Sequence, residues 1–418
     1  MTDLLDDLQA RGLWQDSTDP ELLRARLAEG PITLYYGCDP SADSLHIGNL
    51  FGLLVLRRFH DAGHKPIALA GGATGMIGDP GGKSEERNLL DPETLAHNLE
   101  GIKVQIARIV GDDVPLVDNF AWTDGMSVLD FLRDVGKHVT VNHMMAKEAV
   151  RTRLASENGI SYTEFSYMLL QANDYLWLHE HMGCDLQIGG SDQWGNIALG
   201  VDLIRRRTGD HVHAFTWPLL VRADGKKYGK SEGGETMWLD PNRTSAYQLF
   251  QYWMQVADAD VRRFLLQLTL LSVEEANAVA DEHEAAPEKR IGQRRMAKEN
   301  VAIVHGPAAA TAAEEASDLL FGGGDALTAS SEAFEFLALE VPTTAADPVG
   351  RPVLDLLPET GLVKSKGEAR RALEQGGVYV NGSAVGPDDV VGEAHLVHGR
   401  WLLLRRGKRT YHLLDRTS

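Results

Sequence analysis

Two short apolar runs that stop at glycine constrain this fold most. Ile32-Thr33-Leu34-Tyr35-Tyr36-Gly37 and Pro66-Ile67-Ala68-Leu69-Ala70, the latter followed by Gly71-Gly72, flank a helical stretch from Leu50 to Ala62. Runs of this length suit strands buried on both faces, and a helix between two of them makes a parallel crossover. The pattern predicts an α/β chain with a doubly wound, Rossmann-like parallel sheet, whose ligands gather beyond the carboxyl ends of the strands. Residues 1–30 read as helix, with Leu4, Leu5, Leu8 and Leu13 spaced for one face. After Ser245 the pattern turns helical, carried by Leu265, Leu266, Leu268 and Leu271. Around 306–350 it gives way to Ala, Gly, Ser and Thr, including Gly322-Gly323-Gly324. The expected division is a catalytic domain over 1–244, a helical domain over 245–320, a linker over 321–350 and a small α+β domain over 351–418.

Composition narrows the function. The 418 residues carry a formal charge of −19, with 43% hydrophobic and 24% charged residues, a balance that excludes disorder. Cys38 and Cys184 stand far apart and in no C-x-x-C pattern, so neither a disulfide framework nor a cysteine zinc site is expected, which fits a reducing compartment. The start lacks the basic and apolar regions of a signal peptide and no run of about 18 apolar residues occurs, so a cytoplasmic location with no membrane contact is expected. The acidic total argues against a nucleic-acid partner, but its distribution does not. Residues 352–418 carry +2 and the remainder −21, and a basic terminal module is a sign of RNA contact.

Three segments could carry chemistry. In Gly37-Cys38-Asp39-Pro40-Ser41-Ala42-Asp43-Ser44-Leu45-His46-Ile47-Gly48-Asn49-Leu50 a strand ends, Asp43 and Ser44 offer helix caps, and a helix begins near His46. His46 and Asn49 share the face of that first turn, where free N–H groups attract phosphate, and Gly48 leaves room for a flat group. Taken alone, His-x-Gly-Asn reads equally as an ordinary capped helix. A second junction, Gly189-Gly190-Ser191-Asp192-Gln193-Trp194-Gly195-Asn196, places Asp192 where it can accept from a ribose hydroxyl. The loop Ala223 to Gly234 contains Lys226, Lys227 and Lys230, compact ammonium groups suited to polyphosphate or, equally, to a solvated hairpin. Gly78 to Ser84 fails as a P-loop because Ile77 stands where glycine is required, which leaves Lys83 and Arg87 as phosphate-binding candidates.

Together, His46-Ile47-Gly48-Asn49 and Lys227-Tyr228-Gly229-Lys230-Ser231 resemble the HIGH and KMSKS signatures of class I aminoacyl-tRNA synthetases. Tyr35-x-Gly37-x-Asp39-Pro40, Gly71 to Gly75, Ile77 to Pro80, Phe131 to Lys137, Glu164 to Gln171 and Gly189 to Asn196 resemble the bacterial tyrosyl-tRNA synthetase family. Ser365-Lys366-x-x-Ala369-Arg370-Arg371 and Gln375 to Gly382 resemble its S4 RNA-binding module. Asn49 stands where the first signature has His, a feature shared with the tryptophanyl branch. Tyr35, the Lys-Tyr-Gly-Lys-Ser form and the S4-like module favour the tyrosyl branch.

The resemblance implies a tyrosine–tRNA ligase that uses ATP, with Mg²⁺ accompanying the nucleotide and no protein-bound metal. L-tyrosine and tRNA(Tyr) are the implied partners, 245–320 binds the anticodon arm, and a homodimer is implied with 131–138 as candidate interface. By the same resemblance His46, Asn49, Lys227, Lys230, Ser231, Lys83 and Arg87 act on the phosphates. Tyr35 and Asp174 read the phenol hydroxyl; Asp79, Tyr167 and Gln171 hold the ammonium group; Gln193 lies near the carboxylate. Gly37, Asp39, Gly190, Asp192 and Lys230 line the nucleotide, and Lys366, Arg370 and Arg371 contact RNA. A site that hydrogen-bonds a hydroxyl rejects the analogue lacking it, a rule that tyrosine-activating synthetases themselves exemplify.

Overall fold

The computed structural model describes residues 3–79, 91–156, 159–221, 235–322 and 324–416. The chain divides into two compact units, Met1–Arg243 with Val256–Gly292, and Thr244–Gln255 with Gln293–Ser418. In the first unit β1 (Asp16–Ser17), β2 (Thr33–Cys38), β3 (Lys65–Ala70), β4 (Leu116–Asp118), β5 (Cys184–Gly190) and β6 (His213–Trp217) form one sheet in the order β1-β6-β5-β2-β3-β4. All neighbours are parallel except β1, which runs antiparallel to β6. After β2 the chain builds outward through β3 and β4, then returns to the other side of β2 with β5 and β6. The order therefore reverses between β2 and β5, and a crevice opens beyond their carboxyl ends.

The helix Ile47–Asp61 connects β2 to β3, Tyr162–Met182 leads into β5, and Trp194–Arg207 follows it. Tyr162–Met182 starts with the Ser161 hydroxyl accepting from the Glu164 N–H and ends at Gly183, whose φ of 62° a side chain would disfavour. Glu164 also takes both arms of Arg153, at 2.7 Å each, in a buried pair. Tyr35, Ile67 and Leu69 from the strands pack with Met168, Ala172 and Tyr175 of this helix and with Leu199 and Leu203 of the next. The first thirty residues are not one helix. Gly12 takes φ 67° after the helix Leu4–Ala10, β1 follows, and Asp19 caps a second helix that opens on Pro20. Helices Asp258–Leu268 and Val273–Ala285 belong to this unit rather than to a separate helical domain: Arg11 donates to the Leu266 carbonyl at 3.1 Å and Gln267 to that of Gly12 at 3.0 Å.

In the second unit β7 (Thr343–Ala345), β8 (Val378–Val380), β9 (Ser383–Ala384), β10 (Trp401–Arg406) and β11 (Thr410–Asp415) form a sheet in the order β7-β11-β10-β8-β9. The stretch expected as a linker holds the helix Ser331–Glu340, with Ala333, Phe334 and Leu337 buried, and then β7, which pairs parallel with β11. Phe334 stacks near-parallel on Trp401 with ring centroids 6.2 Å apart. Small residues imitate a linker in composition, yet Ala310, Ala312, Ala313 and Ala316 of the helix Pro307–Phe321 are buried, because methyl-sized side chains let helices approach closely. The β8–β9 turn uses Asn381 and Gly382 at φ 47° and 86°, as a two-residue hairpin requires. Among the described residues no helix is long and apolar enough to cross a membrane.

Candidate active site

A cavity of about 430 Å³ lies in the crevice between β2 and β5. Tyr35, Gly37 and Asp39 reach it from β2 and the turn after it, and His46 and Asn49 from the start of the next helix. Asp79, Tyr167, Gln171 and Asp174 also line it, as do Gly190 at the end of β5 and Asp192 and Gln193 just beyond it. Lys83, Arg87, Lys227, Lys230 and Ser231 lie outside the described residues. The segment that resumes at 235 runs alongside the His46 region: the Ile47 N–H donates to the Met237 carbonyl at 3.1 Å and the Leu239 N–H to that of Leu45 at 2.8 Å.

At one end of the cavity Tyr35 is 1% exposed and packs against Tyr175, and its hydroxyl meets no hydrogen-bond partner among the described residues. Beside it stands Asp174, 2% exposed, which accepts from Asn119 Nδ2 and Trp122 Nε1, both at 2.9 Å. Burial pushes the Asp174 carboxyl up to about 7, although those two bonds pull the other way, and burial together with Asp174 holds the Tyr35 phenol well above its ordinary range. Asn119 also donates to Thr74 Oγ1 at 3.1 Å; Thr74 donates to Asp39 at 3.1 Å; and Tyr167 donates to the same carboxylate at 3.3 Å. Asn119 and Trp122 carry no motif, being just beyond the three-residue β4; their signal was an apolar run ending in polar residues, as at β2. Gly71 and Gly72 are required here, because a Cβ on either would collide with Asp39 and Thr74 or with Asp118.

A second network joins Asp79, Gln193, Gln171 and Asn196. Gln193 donates to Asp79 at 2.7 Å, while Asn196 donates to the side-chain oxygens of Gln171 at 2.9 Å and Gln193 at 3.1 Å. Lys147, which no sequence pattern singled out, donates to Asn196 at 2.9 Å, and burial brings its ammonium down to about 7 while Asp79 opposes the shift. Acceptors from two carboxylates, Asp39 and Asp79, thus flank a region suited to a cationic group.

At the helix start the cap is His46 itself, not Asp43 or Ser44. Its Nδ1 accepts from the Gly48 N–H at 3.0 Å, and the His46 N–H donates to Asn49 Oδ1 at 3.1 Å, a reciprocal capping box. Asp43 pairs instead with Arg243, and the Ser44 hydroxyl donates to the Leu45 carbonyl. Burial lowers the His46 pKa, so the ring is neutral; with Nδ1 accepting, its proton sits on Nε2, ready to donate. The room at Gly48 is used by this ring, since a Cβ there would come 2.9 Å from His46 Cε1. Gly189 likewise makes room for Ile197.

In the second unit Lys366, Arg370 and Arg371 are exposed on the helix Lys366–Glu374, with Lys366 paired to Asp355 at 2.7 Å. Arg405 lies 3.9 Å over the ring of Tyr379.

Comparison with known proteins matches residues 27–322 to a family described as tRNA synthetases class I (W and Y) and residues 333–414 to one described as tyrosine–tRNA ligase SYY-like C-terminal domain. A tyrosine–tRNA ligase of Opitutus terrae is 51% identical over 98% of both chains, and one of Mycobacterium bovis is 50% identical over 99% of both. Among solved structures, a C-terminally truncated mitochondrial tyrosyl-tRNA synthetase of Aspergillus nidulans superposes with a TM-score of 0.70, at 28% identity, over 77% of this chain and 95% of that one. The first family model spans two amino-acid specificities. The terminal match and the full-length relatives choose between them.

Proposed function

This chain belongs to the tyrosine–tRNA ligase family of class I synthetases, and we propose that the cavity between β2 and β5 activates L-tyrosine with ATP and then passes the tyrosyl group to tRNA(Tyr). The observation that carries the residue assignment is the buried Tyr35 hydroxyl with no described partner, set beside the Asp174 carboxyl. Buried hydroxyls are rarely left unpaired, and a phenol hydroxyl entering there would satisfy both groups. The substrate ammonium would sit among Asp79, Tyr167 and Gln171, and Gln193 would orient the carboxylate.

The carboxylate oxygen attacks the α-phosphorus of ATP, forming the mixed anhydride and expelling pyrophosphate. The terminal ribose hydroxyl of the tRNA then attacks the tyrosyl carbonyl, forming the ester and expelling AMP. The carboxylate is already a nucleophile, so the first step needs alignment and charge stabilisation rather than a protein base. His46, through Nε2–H, and Asn49 would donate to the phosphates as charge moves onto the leaving group. Lys227, Lys230, Ser231, Lys83 and Arg87 would act on the departing pyrophosphate, and Mg²⁺ would accompany ATP as part of the substrate. Gly37, Asp39, Gly190 and Asp192 would line the nucleotide.

The exposed Lys366, Arg370 and Arg371 would follow the tRNA backbone, and residues of 245–320 its anticodon arm. A homodimer is supported by Val128 (73% exposed) and Leu129 (77%) just before the 131–138 segment and Leu132 within it, an apolar group a lone chain would leave in water. Light scattering should give twice the 45.8 kDa chain mass; the single-chain mass would exclude the dimer. The function is tested by following tyrosine onto tRNA(Tyr). Ester formation that requires ATP and tyrosine is expected, and charging with tryptophan instead would overturn it.

A further inference from the structure

Asp174 is held by two donors, one on each oxygen: Asn119 Nδ2 on Oδ2 and Trp122 Nε1 on Oδ1, both at 2.9 Å. Asn119 is fully buried and fixed from its other side, its amide oxygen accepting from the Ala73 N–H at 2.7 Å. Trp122 has a single N–H, which lies in the plane of its ring, so whatever fixes that plane fixes the aim of the donor. Its own element, Phe120–Thr123, is one helical turn, too short to be rigid alone.

The plane is fixed from the helix Tyr162–Met182. Trp177 stacks on Trp122 with ring centroids 4.1 Å apart and planes within 10°, and His181 stacks on Trp177 at 4.4 Å and the same angle. Asp174, Trp177 and His181 follow one another at three and four residues, so the helix face that carries the carboxylate also carries the rings that align its donor. The outer ring is held as well: His181 Nδ1 lies 2.9 Å from the Trp177 carbonyl, which can only accept, so Nδ1 bears the proton. Trp122 and Trp177 pack half-buried at the margin of the core and His181 is exposed. Apolar packing alone would be served by side chains of any shape; three rings in parallel planes add a constraint on direction. Trp177 and His181 lie between the Glu164–Gln171 and Gly189–Asn196 motifs and belong to neither.

We propose that Trp177 and His181 are positioning residues for amino-acid specificity: by clamping the plane of Trp122 they keep its N–H on Asp174 and so hold that carboxylate where it meets the phenol hydroxyl of the substrate. This role rests on the tyrosine-activating reading of the cavity. Electrostatics supply a second observable. Burial raises the Asp174 carboxyl, the bonds from Asn119 and Trp122 lower it, and the Asp39 and Asp118 charges raise it, while the Tyr35 phenol beside it stays neutral. A Trp122 ring that tips away therefore leaves the proton on Asp174 to higher pH.

The test is tyrosine-dependent ATP–pyrophosphate exchange in the full chain, with KM for tyrosine and for ATP measured between pH 6 and 8. Trp177→Leu keeps an apolar side chain but no plane. It should raise KM for tyrosine about fivefold, leave KM for ATP within about twofold, and move the midpoint of the tyrosine profile up by about half a pH unit from its place near 7. Trp177→Phe, which restores a flat ring, should stay within about twofold of the parent. In a Trp122→Phe background there is no N–H to aim, so Trp177→Leu should add less than about a twofold further loss. Lowered thermal stability with KM and midpoint unchanged in Trp177→Leu, or an equal loss in both backgrounds, overturns the inference. Should Trp177→Leu fail to fold, His181→Leu at the exposed end decides in its place, a KM for tyrosine raised about threefold supporting the inference and an unchanged one overturning it. A parent chain without tyrosine-dependent exchange would refute the reading of the cavity itself, and the inference with it.

Discussion

Tyr35 carries a hydroxyl into a space where no described group meets it, and a buried unpaired hydroxyl costs the free protein roughly 1–3 kcal/mol. Tyr35→Phe should therefore raise thermal stability by about 1 kcal/mol while raising KM for tyrosine about tenfold. Destabilisation with an unchanged KM would show that the hydroxyl serves the fold. Asp174 gives a pH signature of opposite origin. With its carboxyl raised to about 7, it bears a proton below that pH and accepts from a phenol as a carboxylate above it. KM for tyrosine should fall up to about tenfold between pH 6 and 8, following the ionised fraction. A flat profile would remove Asp174 from phenol recognition. The sign for folding is the reverse: a carboxyl whose folded pKa lies above its unfolded value of about 3.9 costs stability as pH climbs from there through 7. Motif reading reached Tyr35 and Asp174 but not Asn119, Trp122 or Lys147. Those three act by orienting other side chains, and such partners are set by tertiary approach rather than by spacing along the chain.

Elements with a single strong periodicity were legible in the sequence, and elements made by their neighbours were not. β2 and β3 are apolar runs closed by polar or glycine turns, and the helix between them has ten buried residues out of fifteen. The helix Ser331–Glu340 offers only Ala333, Phe334 and Leu337 to a core, too few to stand out from the Ala- and Ser-rich surroundings. The cap at His46 was similarly hidden, since Asp and Ser outrank His as caps in general, and only the geometry of Asn49 three residues on selects His46. Tyr162–Met182 carries Tyr167, Gln171 and Asp174, so its position matters most. Arg153 and Glu164, with side chains 8% and 4% exposed, anchor its first turn. Arg153→Met should destabilise the fold by about 3–5 kcal/mol, because it strands a buried carboxylate. A thermal midpoint unchanged from the parent would mean the pair is not holding that turn.

Across the whole molecule, charge separates along the chain as the substrates demand. The +2 of residues 352–418 against −21 elsewhere would confine phosphate affinity to local basic surfaces, and the acidic remainder would limit indiscriminate RNA binding. The structure also moves the point at which the terminal module can be removed. β7 pairs with β11 and Phe334 stacks on Trp401, so a cut at 351 would leave both without partners. Deleting 331–418 takes them together. It should leave adenylate formation within about twofold while reducing tRNA charging at least tenfold, the loss expected when several phosphate contacts go. Equal loss in both assays would contradict a separate RNA-holding role. The central claim, that a phenol hydroxyl is read by Tyr35 and Asp174 in the cavity between β2 and β5, is tested most directly by ATP–pyrophosphate exchange with tyrosine, phenylalanine and tryptophan side by side. Exchange with tyrosine, with phenylalanine and tryptophan orders of magnitude weaker, is the predicted result. Exchange with phenylalanine comparable to that with tyrosine would contradict it.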